Sequence, residues 1–288
     1  MERAAFTKAP DKAEPARASA GNLIYRMSAW TRLTHWVWAI ALFFLLLSGL
    51  QIFNAHPALY IGKQSGFAFD NAVLRFKAEN TADGPKGYTE VFGHRFDTTG
   101  VLSLSGPKDN PQPRAFPAWA TVPSYQDLAT GRVVHFFFAW VLSGTLLVWL
   151  VASIVNGHLR RDLAPRVEDL KNLPGDIADH ARLRFHHGRR YNTLQKLSYA
   201  TVLLILLPLM ILTGLAMSPS MDTVIPFLTG ILGGRQTART IHFTVMLLLV
   251  AFFIVHMVMI LAAGPINELR SVITGWYRTD PPEGKKET

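Results

Sequence analysis

Four of the ten histidines, His35, His135, His242 and His256, lie inside long apolar stretches of the chain. An imidazole at bilayer depth is costly and marks a working group rather than filler. His242 and His256 are 14 residues apart. At about 100° per residue this closes to within about 40° of four helical turns, and at about 1.5 Å per residue it separates the rings by about 21 Å. Both rings then project from one face of one helix, one near each end. Neutral imidazole is a good axial ligand for iron, and facing helices of a bundle can hold a flat macrocycle between them. Two stacked histidine pairs meet the needs of two haem b groups, a wire from one membrane surface to the other.

Three of these histidines follow an arginine by three residues: Arg32, Arg132 and Arg239. At that spacing each arginine shares a face with its histidine, one turn nearer the surface, where a guanidinium suits a haem propionate. Flanking positive charge alone accounts equally well for Arg32, but less well for Arg132 and Arg239, which fall on the other side. Gly49, Gly144 and Gly214 lie within the apolar stretches. They suit close approach of a macrocycle, or plain helix packing. Met246, Met257 and Met259 read as core or lipid-facing residues, because the histidines already complete two sites. His186 and His187 sit in a basic stretch, RFHHGRR, that reads as a solvated loop; proton delivery to a quinone is the sharper alternative. His56 and His94 are too far apart in sequence to make a metal site.

The elements that must position these groups are four apolar runs, about 31–53, 132–156, 196–217 and 240–263. Each is long enough to cross a hydrocarbon core of about 30 Å. Pro208 predicts a kink in the third. Of the 29 basic residues, six fall in the stretch through Arg32, nine in 157–196 and four after the last run. Positive charge is retained on the cytoplasmic side, so both termini and the 157–195 loop are expected there. His35 and His256 then share the inner depth, and His135 and His242 the outer. The expected fold is an all-α integral membrane protein, a four-transmembrane-helix bundle with a long periplasmic segment, 54–131, between helices 1 and 2. That segment is too long for a simple connection and is expected to form an ordered cap. Residues 1–25 read as a disordered cytoplasmic tail, 26–280 as the dihaem membrane domain and 281–288 as a C-terminal tail. Residues 221–234 read as an interfacial helix and 266–277 as an amphipathic helix at the inner interface. No internal repeat is evident beyond the spans.

Composition narrows the function. The chain is 49% hydrophobic and 17% charged, against about 25% charged in soluble domains; an ordinary soluble enzyme is excluded. With no cysteine, disulfides, cysteine-ligated iron–sulfur clusters, c-type haem attachment and thiol catalysis are excluded. The net charge of +9 is the mark of topology rather than of nucleic-acid binding.

The histidine arrangement, with RYNTLQK before the third span and RAFPAWATVPSYQDLATGR leading into VVHFFFAW, resembles the cytochrome b subunits of membrane-anchored bacterial oxidoreductases. These are the formate dehydrogenase, nickel–iron hydrogenase and thiosulfate reductase types, and the last is the nearest in pattern. The resemblance implies that Asn192 and Gln195 help bind a quinone beside the inner haem. It also implies an exported molybdopterin enzyme as redox partner. From the residues alone, Asn192, Gln195 and Lys196 offer hydrogen bonds at the interface, although Asn192 serves equally well as a helix cap. The expected function is electron exchange between the quinone pool and a periplasmic oxidoreductase, in the bacterial inner membrane. The alternatives are a self-contained haem oxidoreductase acting on a small diffusible substrate, and a haem-free transporter or anchor.

Overall fold

A computed structural model describes residues 22–157, 159, 173–175 and 193–279. Helix α1 (Ala29–Asn54) opens at Ser28, whose hydroxyl accepts from the Thr31 amide, and α2 (Leu128–Val155) opens at Asp127, whose carboxylate accepts from the Thr130 amide. Each cap satisfies a donor that a helix start leaves without an intrahelical partner. The third span runs from α3 (Thr193–Thr201) through a π-helical segment, Val202–Leu206, into α4 (Leu207–Met217). Pro208 lacks an amide proton and its ring crowds the preceding turn, so the backbone widens just before it. The expected kink is thus a five-residue π segment.

Two short helices, α5 (Pro219–Val224) and α6 (Pro226–Ile231), stand where one interfacial helix is expected from the sequence; Pro226 starts the second afresh. The fourth span is α7 (Arg235–Ala263), followed by α8 (Pro265–Thr274). The four spans are long and apolar enough to cross a membrane. A buried core of Ala41, Leu142, Leu146, Trp149 and Leu207 joins α1, α2 and the third span.

The inserted segment departs from the all-α expectation. Strands β2 (Ala58–Tyr60), β3 (Ala72–Thr81), β4 (Gly84–Val91) and β5 (His94–Asp97) form one antiparallel sheet in that order, and β6 (Leu104–Ser105) pairs with β7 (Gln112–Pro113). The reason is alternation, clearest in β4, where Gly87 and Thr89 are buried and Lys86, Tyr88 and Glu90 between and beside them are not, which suits a half-buried pleat. Phe76 and Leu59 pack with Phe53 of α1 and Ala115, and Phe243 of α7 packs against that cluster. The sheet therefore sits over one end of the bundle, here called the sheet end. The opposite, tail end is clasped by β1 (Leu23–Tyr25) pairing antiparallel with β8 (Trp276–Arg278). Leu23–Tyr25, expected within a disordered tail, thus form a strand, because α8 turns the chain back beside them; the amphipathic helix correspondingly ends at Thr274 rather than 277. The rest of that N-terminal tail and the 281–288 tail lie outside the described residues.

An internal repeat, not evident from the sequence, relates the two helix pairs. His135 is the eighth residue of α2 and His242 the eighth of α7, each preceded by an arginine at three residues and followed by Phe. Ser48 is the twentieth residue of the span Ala29–Phe53 and Thr213 the twentieth of the span Leu194–Met217, each leading a Gly-Leu step. The spans of each hairpin correspond one to one.

Candidate functional site

At the sheet end, the rings of His135 on α2 and His242 on α7 face each other with centroids 6.4 Å apart and planes at 59°. That separation would leave room for one metal ion held by a nitrogen of each ring at about 2 Å. The orientation of each ring is fixed from behind. His135 Nδ1 lies 3.1 Å from Ser48 Oγ, and His242 Nδ1 lies 3.0 Å from Thr213 Oγ1 and 3.1 Å from the Met210 carbonyl. The Leu45 carbonyl lies near the His135 ring, as the Met210 carbonyl lies against His242.

Hydrogen-bond polarity settles the tautomers. Ser48 Oγ donates to the Phe44 carbonyl at 2.6 Å, and Thr213 Oγ1 to the Leu209 carbonyl at 2.7 Å. With their protons spent, both hydroxyls accept, and a carbonyl can only accept. Nδ1 therefore carries the proton in both histidines, and each Nε2 keeps its lone pair for a metal. Gly49 and Gly214 make room: a Cβ at Gly49 would stand 3.3 Å from His135 Cε1, and one at Gly214 3.5 Å from His242 Cε1. No atom lies within 4 Å of a Cβ built at Gly144, so that glycine borders open space.

At the tail end, His35 of α1 and His256 of α7 are within electrostatic reach of each other. His256 stacks on Phe252 at 5.8 Å, and His35 meets Trp36 edge-on. Among the described residues neither ring nitrogen of either histidine has a hydrogen-bond partner. Glu268 of α8 lies within electrostatic reach of His256 and accepts from the Tyr277 hydroxyl at 3.3 Å. Burial, then the Glu268 charge, pushes the Tyr277 phenol up to about 12.

The arginines lie beside their histidines with partners of their own. Arg32 donates through Nη1 to the Ile273 carbonyl at 2.6 Å, while its buried Nε has no acceptor. Arg132 stands 5.7 Å over Phe136. Arg239 donates to the His56 carbonyl at 2.5 Å and lies over Phe53. Burial, then the Arg239 charge, holds the His56 imidazole below its ordinary value. Gln195 and Lys196 lie on α3 at the tail end; Asn192, His186 and His187 lie outside the described residues.

Ser48, Thr213 and Glu268 are contributors that sequence reasoning missed. The signal available was the pair of short echoes, SGL at 48–50 and TGL at 213–215. Among the described residues no group of three or more histidine, aspartate or glutamate side chains could hold a metal. His135 and His242 stand as a pair, a donor set that would suit an iron also held by a macrocycle.

Comparison with known proteins agrees. Residues 26–275 match the family described as prokaryotic cytochrome b561. The chain is also 26% identical over 235 residues, 80% of its length and 87% of the other's, to the "Putative protein-methionine-sulfoxide reductase subunit YedZ1" of Azospira oryzae. These similarities support the wider cytochrome b family and not the thiosulfate-reductase-like branch. The family implies haem b, and the opposed, Nδ1-anchored imidazoles at the sheet end fit it. A four-span bundle that brings His135 and His242 together, matched along most of its length, makes this chain a multi-pass membrane electron-transfer protein belonging to the prokaryotic cytochrome b561 family.

Proposed function

We propose that the protein is the dihaem membrane subunit of an oxidoreductase, passing electrons between quinol near the tail end and a partner enzyme docked at the sheet end. The observation that carries this reading is the sheet-end pair: two imidazole rings 6.4 Å apart between centroids, each anchored from behind at Nδ1. Haem b supplies a reversible one-electron centre. His135 and His242 would hold one such group, and His35 and His256 the other. The rise between His242 and His256, about 21 Å at helical pitch, spreads the two sites across the bundle. Arg132 and Arg239 would face the propionates of one haem and Arg32 those of the other, a fit the orphaned Arg32 Nε supports.

The repeat supports a quinone at the tail end. Ala200 of the third span is the seventh residue of its span, as His35 is of the first. A small residue therefore takes the place of a third histidine there, and Lys196 lies one turn away on the same face. Gln195 and Lys196, with Asn192, would bind the quinone beside the small face, and Gly144 would border a macrocycle. We take the tail end as cytoplasmic, on the basic residues at both termini, and the membrane as the bacterial inner membrane. The sheet would then receive a periplasmic, molybdopterin-dependent reductase; the reductase named in the Azospira protein supports flow from quinol outward.

Haem assay and redox titration of the purified protein test this reading. Two b haems per chain, titrating as separate one-electron steps, are expected; one haem or none overturns it. Turnover with quinol and a small oxidant, without any partner enzyme, favours the self-contained alternative.

A further inference from the structure

The sheet-end histidines are held by two equivalent devices, one from each hairpin. In the first, Ser48 Oγ faces His135 Nδ1, with the Leu45 carbonyl near the same ring. In the second, Thr213 Oγ1 and the Met210 carbonyl face His242 Nδ1. Each carbonyl lies three residues before its hydroxyl, and the glycine immediately after each hydroxyl lets the ring close in. Both hydroxyls are fully buried. Ser and Thr in apolar helices commonly turn back onto the preceding turn with no further purpose. Here the same oxygen also accepts from an imidazole, at corresponding positions of both hairpins, and the tail-end histidines have no such bond among the described residues.

We propose that Ser48 and Thr213 are positioning residues for the sheet-end haem, fixing both ligands as Nδ1-protonated imidazoles and lowering that haem's midpoint potential relative to the same site without the hydroxyls. This rests on the reading that His135 and His242 ligate a haem. An acceptor on the far nitrogen raises the basicity of the ligating one, which favours ferric over ferrous iron. Each hydroxyl is itself polarised by its donation to the helix carbonyl, which makes it a better acceptor. The backbone carbonyls stay when the hydroxyls go, so the effect is graded and each ligand remains in place.

Ser48→Ala, Thr213→Ala and the double variant are purified with haem and titrated potentiometrically. Each single variant is expected to keep both haems and to raise the sheet-end potential alone. The oxidised-to-reduced ratio at a fixed ambient potential should fall by about threefold to tenfold, the worth of one net hydrogen bond. The double variant should shift further, while Ser48→Thr and Thr213→Ser restore the parent value. Thr213→Val, which keeps the volume and loses the hydroxyl, carries the same expectation if the alanine variant does not accumulate. The ferric near-infrared charge-transfer band should move with the potential. An unmoved sheet-end potential, an equal shift of both haems, or failure of the hydroxyl-bearing variants to restore it overturns the proposal. A His135→Ala protein that keeps its full haem content overturns instead the ligation reading beneath it.

Discussion

The two ends of the bundle use the same side chains in different settings. At the sheet end each histidine comes from the second helix of a hairpin and is braced by the first helix of the same hairpin, so the site has the symmetry of the repeat. At the tail end His35 comes from the first helix of one hairpin and His256 from the second helix of the other. Their counterparts in the repeat are Ala200 and the buried Trp149. The sheet-end imidazoles are anchored, and a cluster of Phe53, Phe76, Phe116 and Phe243 rings packs at the same end of the bundle. The tail-end pair instead has an acid, Glu268, close by and an exposed His35. Symmetry gives one end two rigid brackets; breaking it leaves the other end a small face and ionisable neighbours. The first setting suits holding an electron at a fixed potential, the second exchanging electrons with a small molecule that also carries protons.

The largest expected effect removes one end at a time. His242→Ala and His256→Ala change the same helix, yet the first should cost the sheet-end haem and the second the tail-end haem, each leaving about half the haem content. Difference spectra with potentiometry distinguish them. Loss of the same haem in both variants would erase the comparison. Next come the glycines. Gly49→Val and Gly214→Val should each lower sheet-end haem occupancy by about tenfold, because methyl groups would enter space the imidazole already touches. Tail-end haem should be retained; equal loss at both ends would mean a general packing failure.

The smallest effect concerns pH. His56 has its folded value below that of the unfolded chain, chiefly through burial and then through Arg239. Its contribution to folding is therefore fully present above about pH 6.5 and lost as the pH falls below it, since the unfolded state takes up the proton more readily. Protection against hydrogen exchange, taken relative to the intrinsic rate at each pH, should fall around residues 56–60 between about pH 7 and pH 5, but not along β1 and β8. His56→Gln should flatten that response; an unchanged loss of protection in the variant would assign it elsewhere.

The spans, and the meeting of His135 with His242, were legible in the sequence because both depend on local periodicity: uninterrupted apolar runs and histidines placed at helical pitch along them. The sheet was not. Its strands are short and bounded by Gly and Pro, and Phe76 and Leu59 reveal an inward face only once Phe53 and Phe243 are there to receive them. The repeat was hidden by unequal connections. The whole β segment separates α1 from α2, whereas α5 and α6 alone separate α4 from α7, so no fixed period exists for a comparison of the chain with itself to detect. Ser48 and Thr213 read as ordinary small polar residues in apolar helices, since a hydroxyl's partner on another span leaves no trace in sequence spacing.

One helix, α7, carries one histidine of each proposed pair, and of the four spans it is synthesised last. Until His242 and His256 emerge, the chain carries His35 and His135 as two half-sites with nothing opposite them. Stable loading of either site therefore waits for the completed chain. The β1–β8 pairing then ties the first described strand to the last, so the tail-end clasp closes only after the fourth span is in the membrane. A chain truncated before α7 should accumulate, if at all, as colourless protein.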